Sequence, residues 1–152
     1  MFSIIATAVF VLVLMYAALG WWSHQPRFRA ADLTEGRLAA CPTSPNCVCS
    51  EPQAADDRKH SIEPIRLETG GNAMEWAAVV EVVREMGGRI ETDSGNYLHA
   101  IFVSRIFRFV DDLELRADGE SLQVRSASRV GYSDLGANRK RVESLRSGLR
   151  NL

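Results

Sequence analysis

The hydrophobic pattern of this chain begins with one long apolar run. The first 24 residues contain no Asp, Glu, Lys or Arg, and the stretch from Phe2 to Trp22 covers 21 residues. This length is sufficient to cross the hydrocarbon core of a membrane as a helix, with Trp21 and Trp22 placed where an aromatic belt meets the headgroups. A secretory signal peptide is the alternative, but such a peptide carries a basic region before its apolar run, and none precedes this one. We therefore predict a transmembrane anchor over residues 1–24, with the membrane contacted through residues 2–22.

The next part of the chain has no hydrophobic period. Residues 25–58 are irregular, and the polar stretch EPQAADDRKH, which runs from Glu51 to His60, is typical of a loop. We interpret residues 25–58 as a tether and a cysteine-containing lead-in. The remaining residues, 59–152, are predicted to form an α+β domain.

Regular patterns begin after residue 59. A short strand is predicted over Ser61–Leu67, and its Pro64 suits an edge position because proline cannot donate to an interior ladder. A helix follows, capped by Asn72, with Glu75 three residues later in a capping-box-like pair. Gly87-Gly88 then supplies a left-handed stop to the helix.

Four further strands and a closing helix complete the pattern. The strands are predicted at RIETD, YLHAIFVS, Ile106–Arg116 and SLQVRSAS, with turns at Ser94-Gly95-Asn96 and Asp118-Gly119. The last helix is predicted to begin near Ser133 or Asp134 and to end near Arg150. The order β-α-β-β-β-β-α predicts an α+β fold, in which an antiparallel sheet carries both helices on one face. The other face is expected to be open, or to be covered by a ligand, a partner or the lead-in.

The charge of the chain is balanced and excludes one class of partner. There are 18 Lys and Arg residues against 19 Asp and Glu residues, so no net field attracts nucleic acid. The distribution near the apolar run is less even. Arg27, Arg29 and Arg37 follow the run while only the α-amino group precedes it, which favours a cytoplasmic domain by the positive-inside rule.

The cysteines favour the opposite side of the membrane. In CPTSPNCVC, the turn-forming Ser44-Pro45-Asn46 would bring Cys41 and Cys47 together, so that they can form a disulfide in an oxidising compartment such as the periplasm. In the cytosol the same pair would stay reduced and could be redox-active. A compact capped turn without special chemistry is the plainer alternative. A zinc site with Cys49 and His60 does not match the spacing of structural zinc ligands, so no metal is expected.

Adjacent carboxylates occur inside one predicted strand, FRFVDDLELR. Asp111 shares its side of the strand with leucines and must be paired there, while Asp112 and Glu114 face away. Paired carboxylates can do acid–base work or hold a divalent ion. The favoured alternative is that Asp111 accepts hydrogen bonds from arginines of the neighbouring strand. His99 is interpreted as a half-buried side chain, and since no nucleotide, zinc-protease or hydrolase motif is present, no cofactor is expected.

A basic stretch, VRSASRVGYSDLGANRKRVESLR, links the last strand to the last helix and supplies the candidate binding site. Its arginines and the helix N-terminus could converge on an anion, with carboxylates to orient them. The candidate ligand-binding residues are Arg125, Arg129, Asn138, Arg139, Asp111, Asp112, Ser128 and Asp134. In the alternative, the same arginines pair with nearby carboxylates and only fix the corner between strand and helix, which the near-equal local charge favours.

Four motifs carry a resemblance to a known family. CPTSPNCV, HSIEPI, RFVDDLEL and RSASRVGYSDLGANRKRVESLR, in this order and spacing, resemble the uncharacterised family called domain of unknown function 1499 over residues 38–149. The resemblance implies a bacterial or organelle-derived protein, often preceded by a membrane anchor or a lipoprotein signal, and it implies no established activity. The family pattern has serine where this chain has Cys49, which leaves Cys41 and Cys47 as the pair of interest.

Three classes of function are compatible with these observations. The first is a membrane-anchored, non-catalytic domain that binds a small anionic or lipid-like ligand or an envelope protein partner. The second is an enzyme, either a thiol-redox protein using Cys41 and Cys47 or a carboxylate-dependent hydrolase using Asp111, Asp112 and His99. The third is a structural component of the cell envelope. We favour the first.

Overall fold

The computed structural model describes residues 2–25, 33–51 and 58–151 of the chain. The elements follow in the order α1 Phe2–Ser23, β1 Cys47–Cys49, β2 Ile65–Arg66, α2 Ala73–Glu85, β3 Arg89–Asp93, β4 Tyr97–Val103, β5 Val110–Asp118, β6 Ser121–Ser128 and α3 Ala137–Leu149. Arg27 and Arg29, on which the expectation of a cytoplasmic domain rests, lie outside the described residues.

The strands form one antiparallel sheet of six strands in the order β1-β6-β5-β4-β3. Strand β2 pairs with the same side of β6 as β1 does: β1 lies along the C-terminal half of β6 and β2 along its N-terminal end. Both α2 and α3 pack on one face of this sheet, which confirms the predicted α+β fold. The core between sheet and helices is formed by buried aliphatic residues and one indole, among them Trp76, Val79, Val83, Leu98, Leu113, Leu115, Leu122, Val124, Val142 and Leu145. We call this side of the sheet the helix face and the opposite side the second face.

The start of α2 confirms the predicted cap. The side chain of Asn72 accepts a hydrogen bond of 2.9 Å from the backbone N–H of Glu75. The Glu75 carboxylate does not return to the cap but accepts from the backbone N–H groups of Glu68, Thr69 and Gly71, and from the Thr69 hydroxyl. Slight burial pushes the pKa of Glu75 up, but these hydrogen bonds outweigh it and hold the pKa below its ordinary value. Glu75 therefore orders the loop that leads into the helix.

The β5–β6 hairpin sets the register of the sheet. Gly119 adopts a φ of 58°, a left-handed conformation that favours glycine in this tight turn. With Asp118 opposite Ser121, each step along the hairpin is fixed, so Glu114 lies opposite Arg125. Leu122, Val124, Ser126 and Ser128 share the helix face, as their alternation predicts.

Strand β5 begins four residues later than predicted. The segment 104–109, expected to open the strand at Ile106, instead closes a loop in which the backbone N–H of Phe109 donates to Ser104 Oγ at 2.9 Å. Arg108 has a φ of 59° there, which a strand cannot accommodate. We call residues 104–109 the β4–β5 loop.

Helix α3 also begins later than predicted. Leu135 and Gly136 both have left-handed backbones, with φ of 54° and 81°, so the helix starts at Ala137 rather than at Ser133 or Asp134. The Asp134 carboxylate still accepts from the backbone N–H of Asn138 at 2.7 Å, inside the first turn. The predicted capping residue is thus used from a position outside the helix.

The lead-in is part of the sheet, which the sequence did not predict. Strand β1 pairs with β6, with Cys47 opposite Ala127 and Cys49 opposite Arg125. The predicted strand over Ser61–Leu67 shrinks to Ile65–Arg66, since Pro64 lacks the N–H that would extend the ladder. The sheet therefore begins before residue 59. The lead-in also covers part of the second face, where Leu38 and Cys49 pack with the ring of Tyr97.

Helix α1 is apolar and joins the domain at its C-terminal end. Its residues Ile4–Ser23 have a mean hydropathy of 2.3 and are mostly exposed, so the helix is long and apolar enough to cross a membrane; a signal sequence would have the same properties. Ser23 is fully buried, and its Oγ accepts a 3.1 Å hydrogen bond from the backbone N–H of Val110. Arg129 Nη1 donates to the carbonyl of Ser23 at 3.3 Å.

Candidate functional site

The predicted ligand-binding residues are divided between the two faces of the sheet. Arg125, Arg129 and Asp112 lie on the second face, whereas Asp111, Ser128 and Asn138 lie on the helix face. Arg139 lies in the first turn of α3 and Asp134 lies just before the helix, both away from the second face. The structure therefore does not bring these eight residues into one cluster.

A bidentate ion pair dominates the second face at the end of β6 nearest α1. Arg129 Nε and Nη2 donate to the two carboxylate oxygens of Asp112 at 2.8 and 2.7 Å, and His99 Nε2 lies 2.7 Å from the same carboxylate. All three side chains are buried. Burial acts to raise the pKa of Asp112, but the hydrogen bonds and charge of Arg129, followed by those of His99, hold it below its ordinary value. Asp112 is thus an ionised carboxylate at neutral pH.

A second buried pair lies one step along the same strands. Glu114 is 0% exposed; it accepts from Arg125 Nη1 at 2.6 Å and from the Tyr97 hydroxyl at 3.0 Å. Arg125 Nε is buried with no hydrogen-bond partner among the described residues. The cross-strand geometry supplies the pairing directly, because β5 and β6 place these two side chains opposite each other.

A third pair connects the sheet with the lead-in and was missed by the sequence analysis. Arg116 Nε donates to Glu51 Oε1 at 2.8 Å, and Glu51 is buried although it lies outside any strand. Burial acts to lower the pKa of Arg116, but hydrogen bonds to Glu51 and Asp118 outweigh it and raise the pKa. No local pattern marked Glu51, since its partner is 65 residues away in sequence.

On the helix face, the buried amide of Asn138 joins the lead-in to β6. Its Nδ2 donates to the carbonyl of Asn46 at 2.9 Å and to Ser128 Oγ at 3.1 Å. Its Oδ1 accepts from Ser126 Oγ at 2.7 Å and from Arg141. These four partners occupy the amide of Asn138, which is one of the candidate ligand-binding residues.

Asp111 is paired, but not as predicted. Its carboxylate accepts from Arg141 Nη2 of α3 at 2.6 Å, rather than from an arginine of the neighbouring strand, so that expectation is wrong. Asp111 cannot reach the strand arginines because it lies on the helix face of the sheet, whereas Arg125 and Arg129 lie on the second face. The Arg141 guanidinium also lies over the Phe102 ring, 4.7 Å from its centroid.

Arg139 has a separate role at the sheet edge. Its Nη2 donates to the backbone carbonyls of Lys59 and Ser61 at 3.2 and 2.7 Å. Two turns further along α3, Arg146 donates in the same way to the carbonyls of Glu63 and Pro64. These arginines are occupied by backbone oxygens instead of converging with those of β6.

The residues of the two enzymatic hypotheses are also placed apart. Asp111 lies on the helix face, away from Asp112 and His99, so the hydrolase set does not meet. Cys41 and Cys47 form a disulfide with Cα atoms 5.7 Å apart, and Cys47 is buried. Burial raises the pKa of the remaining thiol, Cys49, which disfavours its reactive thiolate. Across residues 2–25, 33–51 and 58–151, no group of three or more His, Cys, Asp or Glu side chains could hold a metal ion.

One cavity lies away from the two arginines Arg125 and Arg129, which we call the arginine corner. A groove of about 710 Å³ opens between β2, the start of α2 and the end of α3. Its walls and mouth are formed by apolar and basic side chains, chiefly Ile65, Leu67, Met74, Ala78, Leu149, Arg66, Arg146 and Arg150. We call this cavity the edge groove. Leu149 lies within the predicted last helix, but no pattern in the sequence indicated that this end of the helix leaves a groove uncovered.

A smaller cleft of about 450 Å³ lies beside the arginine corner itself. Leu19 and Trp22 of α1 line one side, and Ser128 and Arg129 line the other. The guanidinium of Arg129 is already engaged by Asp112 and by the carbonyl of Ser23. The cleft therefore offers little free cationic character to an anion.

The fold and these clusters define an α+β domain with a buried ionic sheet face, docked to an apolar N-terminal helix. The chain belongs to the family described as Protein of unknown function (DUF1499), whose model matches residues 37–149. This confirms the family expected from the motifs, and the matched range includes the lead-in strand β1. No curated protein matches the sequence of this chain.

Proposed function

We propose that this protein is a membrane-anchored, non-catalytic binding domain whose edge groove takes a single-chain anionic amphiphile, such as a fatty-acid anion. The observation that carries the proposal is the groove itself. At about 710 Å³ it falls within the size range of small-molecule sites, and apolar side chains such as Leu67 and Leu149 line it. An apolar chain would bury its length against these walls and gain the free energy of removing both surfaces from water.

The charges at the mouth favour an anionic head. In the described part of the chain, the side chains of Arg66 and Arg150 have neither an ion pair nor a hydrogen bond, and both are exposed. Of the two acidic residues that line the groove, Glu75 is held by backbone N–H groups and Glu68 is exposed. Arginines without partners are suited to bind a carboxylate or a phosphate.

The contacts of the arginine corner favour a structural role for its arginines over the ligand site expected there from the sequence. Each buried arginine of the second face has its own carboxylate, Arg129 with Asp112 and Arg125 with Glu114. An incoming anion would have to displace a buried carboxylate, which would leave Asp112 with only His99 and Glu114 with only the Tyr97 hydroxyl as side-chain partners. Breaking such a pair costs about 3–5 kcal/mol, more than one surface hydrogen bond returns.

Filling the groove tests the proposal with a matched pair of variants. Ala78→Trp places an indole in the groove, whereas Ala77→Trp places the same side chain on the exposed side of α2. We expect laurate to bind the wild-type chain and the Ala77→Trp variant with equal affinity, and to bind Ala78→Trp at least about tenfold more weakly, a difference of about 1.4 kcal/mol. The measurement is isothermal titration calorimetry of the full chain with laurate, at laurate concentrations below its critical micelle concentration.

The head of the ligand is tested separately. Arg66→Glu with Arg150→Glu should weaken laurate binding and leave binding of an uncharged monoacylglycerol of the same chain length unchanged, because only the anion uses the arginines. Arg84→Glu is the control for added negative charge, because Arg84 lies in the last turn of α2 and does not line the groove. Equal binding of laurate to the groove-filled variant and the wild type would reject the proposal.

The anchor and its side form the second part of the proposal. The buried Ser23 and its bonds to the domain support a helix that remains attached, since cleavage after Ser23 would remove these bonds. The Cys41–Cys47 disulfide supports an oxidising, extracytoplasmic side for the domain.

The state of the cysteines gives a direct check of that side. In whole cells lysed into a denaturing alkylating reagent, we expect Cys49 alone to be modified, and all three cysteines after reduction. Mass spectrometry distinguishes one adduct from three. Three adducts without reduction would place the domain in a reducing compartment.

Loss of the disulfide in Cys41→Ser should lower the free energy of unfolding by about 2 kcal/mol, because the closed loop is short.

A further inference from the structure

We propose that the β4–β5 loop enters the membrane interface beside α1 and gives the domain a second contact with lipid. The inference rests on the proposed anchoring of α1. It follows from the position of the loop along that helix. The apolar tip of the loop is not covered by any strand or helix of the described chain, and the bilayer surface is its proposed partner.

Aromatic rings hold the loop against the span. The Phe107 ring lies 4.9 Å from the Tyr16 ring, and the Phe109 ring lies 6.3 Å from it. Tyr16 is about two helical turns before Ser23, which corresponds to about 10 Å along the helix axis. If α1 crosses a membrane with Trp21 and Trp22 at the headgroups, the ring of Phe107 lies below that level, at the boundary with the acyl chains.

The backbone of the loop is fixed to the helix as well. A Cβ atom on Gly20 would lie 1.8 Å from the carbonyl oxygen of Phe107, so only glycine permits this approach. His24 Nε2 lies 3.0 Å from the carbonyl oxygen of Arg108. The depth of the loop relative to the membrane is therefore set by α1.

The tip of the loop has the composition of an interfacial segment. Ile106 is 82% exposed and lines a shallow cavity with Val13 and Ala17 of α1, so its apolar surface continues that of the span. Arg105 and Arg108 flank it, and both are exposed. Long basic side chains beside an inserted apolar residue can reach up to anionic headgroups. In water the same isoleucine would leave its apolar surface unburied.

Fluorescence quenching by lipid tests the position of the loop. The full chain carries one added cysteine, as Ile106→Cys, Asn96→Cys or Val9→Cys, labelled with bimane and reconstituted into phosphatidylcholine–phosphatidylglycerol vesicles with brominated acyl chains. Asn96 lies at the opposite end of β4 and serves as the exposed control, while Val9 lies within the span. The native Cys49 is buried, and the unsubstituted chain measures its background labelling.

We expect strong quenching at Val9, quenching at Ile106 severalfold above that at Asn96, and a blue shift of the Ile106 label on reconstitution. Quenching at Ile106 no greater than at Asn96, with Val9 quenched, would overturn the loop contact and leave the anchor intact. Absence of quenching at Val9 would overturn the anchoring, and the loop contact with it. Neither of these outcomes depends on the edge groove.

Discussion

Replacement of Arg129 by alanine is expected to lower the free energy of unfolding by about 3–5 kcal/mol, the cost of breaking a buried ion pair. The variant leaves the Asp112 carboxylate buried with His99 as its remaining side-chain partner, and it removes the bond to the carbonyl of Ser23. Chemical denaturation of the full chain in detergent, followed by circular dichroism, measures the effect. Lys140→Ala is the control, because Lys140 is exposed and makes no side-chain contact of this kind in the described chain.

The pH dependence of this difference identifies its cause. Because the folded-state pKa of Asp112 is lowered, the pair contributes stability above the unfolded pKa, and this contribution is lost as the pH falls through the folded pKa. The difference between the wild type and Arg129→Ala should therefore be full at neutral pH and should narrow at acid pH, from about pH 4 downward. The free energy of unfolding of Arg129→Lys should lie between those of the wild type and Arg129→Ala, since lysine keeps the charge but not the bidentate geometry.

Two outcomes would contradict the structural role of Arg129. One is a stability loss in Arg129→Ala no larger than that of Lys140→Ala. The other is a difference that does not change between neutral and acid pH, because the buried carboxylate would then not be its source.

Replacement of Asn138 by alanine is expected to cost about 2–4 kcal/mol, because buried polar groups would lose their partners. The amide is 0% exposed and bridges the carbonyl of Asn46 in the lead-in to two serines of β6. Arg139→Ala, the next residue of α3, should cost no more than about 1 kcal/mol, since its bonds to carbonyls are at the surface. The same denaturation experiment compares the two.

Hydrogen exchange shows where the Asn138 variant is weakened. The backbone N–H of Ser128 bonds to the carbonyl of Asn46, so loss of the bridge should speed exchange at Ser128 and in β1 before it affects β4. Uniform acceleration through the whole sheet, or an unchanged rate at Ser128, would mean that Asn138 does not hold the lead-in.

Local chemistry was sufficient to predict the parts of the fold that depend on neighbours in sequence. The Asp118-Gly119 turn fixes the β5–β6 register, and from that register the Glu114–Arg125 pair can be counted without a structure. The cap at Asn72 and the division of β6 into two faces were predicted in the same way. Each depends on residues that are close along the chain or on a turn of defined length.

The unpredicted features depend on where distant segments pack. Arg141 reaches Asp111 only because α3 packs over β6, the strand next to β5, and nothing in the spacing of α3 specifies that position. Glu51 pairs with Arg116 because the lead-in folds over the second face. That cover was one of the expected alternatives, but a polar segment without hydrophobic period did not indicate which of its residues would be buried. The edge groove likewise depends on the gap left between α2, α3 and β2. The eight candidate residues were close in sequence or in register, but the sheet lies between them.

The two arginines of α3 that bond to backbone carbonyls, Arg139 and Arg146, affect how copies of this protein associate at high concentration. A sheet edge with unoccupied carbonyl oxygens is a template on which another chain can add a strand. Arg139 and Arg146 occupy the carbonyls of Lys59, Ser61, Glu63 and Pro64 along the segment that leads into β2. Pro64 removes one backbone donor from the same segment, so this border of the sheet offers fewer free groups for a hydrogen-bond ladder. Where copies meet at high concentration, this border is therefore less prone to edge-to-edge aggregation.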